Sequence, residues 1–261
     1  MSTVRSKDGT SIAYERMGSG PALILVDGAL CSRHFGPMPK LAPLLAKSFT
    51  VFSYDRRGRG ESGDTQPYAK KRELEDIAAL IKEAGGTAFL YGASSGGALA
   101  IEAAASGLDV GKVAAYEPPY VNASGTHRGT DHEARLKEMI NAGQRGDAVK
   151  FFMREMVGIP AVFYFMMRLM RGMWRKLEAV AHTLPYDAAI MGDYGLPKAT
   201  LAAVRVPTLV MHGGKTTSLL RDAAENASAL LPKGELRVLA GQTHNVPAEL
   251  LAPILIEFFA C

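Results

Sequence analysis

A serine set between glycines, Gly92-Ala93-Ser94-Ser95-Gly96, fits the pattern G-x-S-x-G. The string is short, and its setting gives it meaning. It follows the apolar run Phe89-Leu90-Tyr91 and opens the helix-like run Ala98-Leu99-Ala100-Ile101. A strand, a sharp turn and a helix in that order lift the serine into a strained, exposed position. The helix N-terminus then stabilises negative charge beside it. A serine hydroxyl is a weak nucleophile near neutral pH and needs an adjacent base. His244, in Gly241-Gln242-Thr243-His244 near the chain end, stands where that base is expected. His212 is the rival, but it ends an apolar run and reads as a structural residue. The plainer alternatives are a βα turn of small residues at Ser94 and a backbone-bonding loop histidine at His244.

These groups need a frame. Residues 4–6 and 12–16 are short alternating runs around Asp8-Gly9, a strong hairpin signal. The continuous apolar run at 22–26 suits a strand buried on both faces, and runs of the same type recur at 50–54, 88–91, 113–116, 208–211 and 236–239. Helix-like segments at 39–46, 73–84, 98–106, 219–231 and 248–259 lie between or after them. The alternation predicts an α/β fold with a mainly parallel sheet and an antiparallel N-terminal hairpin. It stops between about 118 and 201, where a Phe- and Met-rich helical stretch is broken at Pro160, Pro185 and Pro197. The expected division is a core of residues 1–117 and 202–261 with an inserted helical cap, 118–201. In such sheets reactive groups gather at the carboxyl ends of the strands.

Composition narrows the classes. Of 261 residues, 48% are hydrophobic, enough for a sizeable core and against long disorder. Lys and Arg exceed Asp and Glu by only 30 − 26 = 4, too few and too dispersed to imply nucleic acid. Cys31 and Cys261 allow one bridge at most and give neither a disulfide framework nor zinc spacing. Residues 1–20 are polar, so no signal peptide is expected. The most apolar stretch, 159–167, is too short for a membrane span. A cytoplasmic protein, monomer or homodimer, is the default expectation.

The chain resembles the serine-nucleophile α/β-hydrolases with a helical cap. The resemblance covers nearly all of it. It runs through the hairpin, Asp27-Gly28-Ala29, Tyr54-Asp55-Arg56-Arg57-Gly58-Arg59-Gly60-Glu61-Ser62, the serine turn, the insert, Val206-Pro207-Thr208-Leu209-Val210-Met211-His212-Gly213 and His244. Two departures stand out. Most relatives carry His-Gly where this chain has Asp27-Gly28. Most also place an acid a few residues beyond the His212-Gly213 strand, where this chain has Gly214-Lys215-Thr216-Thr217-Ser218 and no carboxylate.

Glu117 is the candidate replacement. It ends the 113–116 strand, one strand after the serine, and keeps the order Ser, acid, His. There it would fix the histidine tautomer and stabilise the imidazolium. Asp-Gly with an early glutamate is similar to the pattern in lactonases like the zearalenone-cleaving enzyme. Asp187, Asp193 and Asp222 are the competing acids, and a solvated carboxylate is the plainer reading of Glu117. The oxyanion donors expected are the N–H of Ser95 and that of Gly28 or Ala29. Asp27 would repel an oxyanion, so it is expected to order its own loop with Arg56 or Arg57. A solvated arginine cluster is the equal alternative.

The Phe- and Met-rich stretch points to an apolar ligand. Met153, Phe163, Met167 and Trp174, with Cys31, Phe35 and Met38, are candidate pocket residues; packing within the cap or a dimer seam is the alternative. The resemblance implies an esterase or lactonase acting on a small, moderately apolar ester through an acyl-enzyme, with no metal or organic cofactor. A lyase on this fold, or a slow receptor-like binder, is the other class. Dehalogenases and epoxide hydrolases carry aspartate where this chain has Ser94.

Overall fold

Runs that are apolar at every position must be covered on both sides, because alternate residues face opposite ways. The computed structural model describes residues 2–121, 131–159 and 161–260, with backbone alone at Ala161 and Phe163. Eight strands lie among these residues: β1 (Ser2–Arg5), β2 (Ser11–Met17), β3 (Ala22–Val26), β4 (Thr50–Tyr54), β5 (Ala88–Ala93), β6 (Val110–Tyr116), β7 (Thr208–Gly213) and β8 (Gly234–Leu239). They form one sheet in the order β1-β2-β4-β3-β5-β6-β7-β8. The β1–β2 and β2–β4 pairs are antiparallel and all others parallel. Asp8-Gly9 closes the first hairpin, with Gly9 at φ +86° and Asp8 Oδ1 accepting the Thr10 N–H at 3.0 Å.

Along β3 the pleat sorts the core. Leu23 and Leu25 face α1 (Met38–Leu45) and α11 (Ala248–Ala260), packing with Leu41, Leu251 and Phe259. Ile24 and Val26 face the other way, toward α2 (Lys70–Glu83), α3 (Ser95–Ala105) and α10 (Ser218–Leu230), with Ile77, Leu99 and Ala224. Helix α3 starts at Ser95, three residues before the sequence expectation. Gly96 and Gly97 are poor helix formers and read as turn. Gly96 is there for contact: a Cβ on it would collide with the Val26 carbonyl oxygen, so glycine lets the helix lie against β3.

Between β6 and β7 the described residues form α4 (His132–Asn141), α5 (Arg145–Phe151), a π-helical turn (Phe152–Met156), α6 (Ala161–Leu169), α7 (Arg171–Val180), a 3-10 turn (Ala181–Thr183), α8 (Leu184–Met191) and α9 (Lys198–Ala203). Pro185 lies in the first turn of α8, where its missing N–H costs nothing, and Pro197 caps α9. Pro160 lies outside the described residues. The insert has its own apolar cluster, in which Leu136, Val149, Leu177 and Leu184 close on Leu30 from the loop after β3. Among the described residues no helix is long and apolar enough to cross a membrane.

Candidate active site

Strand β5 delivers Ser94 to the carboxyl edge of the sheet with φ +54° and ψ −127°. Few non-glycine residues adopt such a backbone, and it costs of order 1–3 kcal/mol unless the surroundings enforce it. The surroundings do so here. The Ser94 N–H donates to Tyr116 O at 2.8 Å, and its carbonyl accepts the Gly97 and Ala98 N–H groups at 2.9 and 3.2 Å. The side chain is left half-exposed at the N-terminus of α3.

Glu117 follows Tyr116 at the end of β6 and also has a left-handed backbone, φ +46°. It is fully buried. Its Oε1 accepts the Gly213 N–H at 2.8 Å, and its Oε2 meets His244 Nδ1 at 2.5 Å. Thr216, from the segment that lacks a carboxylate, adds a side-chain hydrogen bond. Burial alone would raise this acid's pKa. The His244, Gly213 and Thr216 bonds outweigh burial and hold it below the usual glutamate range. The Tyr116 hydroxyl donates to Thr243 O at 2.5 Å and so pins the loop that carries the half-exposed His244. Among the described residues the Ser94 hydroxyl has no hydrogen-bond partner, so the imidazole is engaged with the acid but not yet with the serine.

The other acids are placed elsewhere. Asp187 is bound by Arg56, Arg59 and Ser95. Asp193 accepts its own Gly195 N–H, and Asp222 is exposed on α10. His212 is buried, with Nδ1 against its neighbour's carbonyl, Gly213 O, at 3.0 Å.

The loop after β3 passes close to the serine. A Cβ on Gly28 would stand 3.0 Å from Ala93 O and 3.2 Å from Ser94 Cβ. The arginines behind this loop are buried, not solvated. Arg57 turns away, to Asp76 at 2.7 and 2.8 Å and to Asp8 at 3.0 Å. Arg56 grips Glu73 with two bonds of 2.6 and 2.7 Å and reaches Asp27 through its backbone carbonyl, at 3.2 Å, not through its carboxyl. Asp27 Oδ1 is therefore a buried acceptor without a partner. Burial drives the Asp27 pKa well above the aspartate range, against the pull of Arg59 and Arg56.

A neutral acid in the fold that ionises in the unfolded chain loses stability as pH rises above the unfolded pKa of ~3.9. Asp27→Asn removes that loss. The variant is expected to melt at the same or a higher temperature than wild type at pH 7–8, measured by calorimetry. A clear fall in melting temperature would mean that the carboxylate is ionised.

The candidate pocket residues fall into two sets. Cys31 and Phe35 lie in the loop after β3, both half-buried; burial pushes the Cys31 thiol pKa up, and Lys176 Nζ stands 5.5 Å from the centre of the Phe35 ring. Met153 and Trp174 are buried within the insert's cluster, where the indole N–H donates to Glu178 at 2.7 Å; Met167 packs half-buried against the same cluster. The Phe163 side chain lies outside the described residues. Met38 is buried between α1 and the sheet core, which corrects the expectation that it adds to a pocket. An open groove lined by Phe49, Phe89, Lys112 and Phe259 lies at the amino ends of the strands, the wrong edge for chemistry at Ser94.

The fold has close parallels among known proteins. An alpha/beta hydrolase from Sphaerobacter thermophilus DSM 20745 superposes with a TM-score of 0.90 at 48% identity, covering 99% of this chain and 100% of that one. A thermophilic esterase from Thermogutta terrifontis shares the fold at a TM-score of 0.77 and 20% identity, over 99% and 97% of the two chains. AB hydrolase superfamily protein YisY of Bacillus subtilis strain 168 is 26% identical over 259 residues, 93% of this chain and 91% of its own. The model of the Alpha/beta hydrolase family matches residues 20–251, and the chain belongs to that family.

Proposed function

We propose that this chain is a serine hydrolase that cleaves a small, moderately apolar carboxylic ester or lactone through an acyl-enzyme. The observation that carries the reading is the 2.5 Å contact between His244 Nδ1 and Glu117, a fully buried carboxylate one strand from the strained Ser94. With Nδ1–H held by Glu117, His244 presents a free Nε2 lone pair. Substrate binding brings Nε2 and the Ser94 hydroxyl together, since such bonds often tighten only in the complex.

Ser94 Oγ then attacks the carbonyl carbon and its proton passes to Nε2. The carbonyl oxygen becomes an oxyanion, held by backbone N–H groups of Ser95 and of the loop after β3. Collapse breaks the ester C–O bond, and the leaving alkoxide takes the proton from His244. In a lactone that alkoxide stays tethered to the acyl group. Water, deprotonated by His244, attacks the acyl-enzyme and regenerates Ser94. The fold shared with the Thermogutta terrifontis esterase is compatible with this chemistry. The insert acts as a cap, and its apolar residues with Phe35 favour an apolar acyl or alcohol group.

The test is a panel of p-nitrophenyl esters, lactones and thioesters assayed against wild type and Ser94→Ala. Esters or lactones should be turned over by wild type, with medium-sized apolar groups preferred. Ester cleavage that persists undiminished in Ser94→Ala sinks the proposal.

A further inference from the structure

Two donors are needed to hold an oxyanion, and here they sit on separate segments: Ser95 opens α3, while the second N–H belongs to the loop after β3. Something must keep those segments in register. The carbonyls of that loop are gripped from behind by two buried guanidiniums. Arg56 Nη1 donates to Asp27 O at 3.2 Å. Arg59 Nη1 donates to Gly28 O at 2.6 Å and to Cys31 O at 3.4 Å. In a trans peptide the C=O and the following N–H point in opposite directions. Drawing the Asp27 and Gly28 carbonyls onto these arginines therefore turns the N–H groups of Gly28 and Ala29, the two candidate second donors, away from them.

Both guanidiniums end on one carboxylate. Asp187, on α8 of the insert, takes Arg56 Nη1 on Oδ1 at 2.7 Å and Arg59 Nη2 on Oδ2 at 2.6 Å. Its Oδ1 also accepts the Ser95 hydroxyl at 2.8 Å. Asp187, Arg56, Arg59 and Ser95 are each at most 3% exposed. Thr183, just before α8, accepts Arg59 Nε at 3.1 Å. A buried ion-pair cluster is weak evidence for stability, because desolvation offsets most of its attraction. Its geometry suggests another use.

We propose that Asp187 is a positioning residue that holds both halves of the oxyanion hole in register and makes that register depend on the seating of the insert. The inference rests on the serine-hydrolase reading above and deepens it. Asp187 touches no reacting atom. It acts through the Ser95 hydroxyl on one side and through Arg56 and Arg59 on the other. If α8 lifts away, the two N–H donors lose their common anchor.

Asp187→Asn leaves two buried guanidiniums short of a counter-charge and risks misfolding, so Ser95→Ala is the primary test. It cuts one arm of the tether and keeps every charge and both N–H donors. Removing an oxyanion donor outright costs ~10²–10³-fold in kcat; loosening one is expected to cost ~10-fold. We expect kcat on a p-nitrophenyl ester to fall ~10-fold with KM within about twofold. Affinity for a trifluoromethyl ketone, whose adduct carries the oxyanion, should fall by the same factor. Ser95→Thr keeps a hydroxyl and should restore both. A merely structural role would lower melting temperature without this split. Ser95→Ala with kcat and ketone affinity within twofold of wild type overturns the inference. Failure of wild type itself to react with a fluorophosphonate probe overturns the serine-hydrolase reading instead.

Discussion

Ser94→Ala is expected to abolish labelling by a fluorophosphonate probe and to lower kcat for the best ester by ~10⁵–10⁶-fold, the scale of nucleophile removal in serine hydrolases of other folds. The size of the effect depends on what the hydroxyl does in the resting protein. Among the described residues it makes no hydrogen bond, and the turn is held by the Ser94 backbone through Tyr116, Gly97 and Ala98. Alanine has the same Cβ and the same backbone preferences, so the left-handed conformation is no more strained than before. The variant should therefore melt with wild type while losing the atom that attacks. Any residual rate above water would come from the oxyanion donors and His244 acting without a nucleophile. Labelling at another residue of the variant, with activity retained, would show the nucleophile to be misassigned.

Most of the frame that positions this serine is legible from local pattern. All eight strand runs and the five helices outside the insert overlap the expected segments, because each signal sits within a few consecutive residues. But β8 is an edge strand with Leu236 and Val238 exposed, which corrects the expectation that it is buried on both faces. Ser94 and His244 are legible for the same reason: each stands at a loop that follows a readable strand. Glu117 is visible only by elimination, since the usual position beyond β7 holds no acid, and the structure brings it against His244 from 127 residues away. What stays hidden is pairing at long separation. Nothing local to Arg56, Arg59 or Asp187 says that an acid 131 residues from Arg56 meets it in the interior. An arginine cluster in a loop is usually solvated, and burial here is set by helix α8 folding back over the sheet edge. Thr216 is hidden for a related reason. Its hydroxyl carries no charge, yet it helps keep the buried Glu117 carboxyl ionised. Met38 misleads in the opposite way: its place after the loop suggests a pocket, but α1 turns it into the core.

Glu117→Gln should lower kcat/KM by ~10⁴-fold, about 5 kcal/mol of transition-state stabilisation, although it changes one oxygen to an NH₂ group. The carboxylate accepts on both oxygens, from Gly213 N–H on Oε1 and from His244 Nδ1–H on Oε2. A glutamine has only one side-chain oxygen to share between those donors. The Gly213 N–H is a fixed backbone donor and keeps it. The amide NH₂ is then turned toward His244, and two donors cannot face each other. The imidazole responds by moving its proton to Nε2, leaving Nδ1 as an acceptor. That tautomer cannot take the Ser94 proton, so the loss belongs to chemistry and not to binding. KM should change little and kcat should fall. The wild-type carboxylate also contributes to folding. Its pKa is held below the glutamate range, so its stabilisation is present above the unfolded pKa of ~4.3 and is lost as pH falls through the folded value. Glu117→Gln should accordingly melt below wild type at pH 7, with the difference shrinking toward pH 3. Titrating kcat and melting temperature together separates the two effects. A variant with near wild-type kcat at every pH would remove Glu117 from the reaction and return the role of acid to an aspartate.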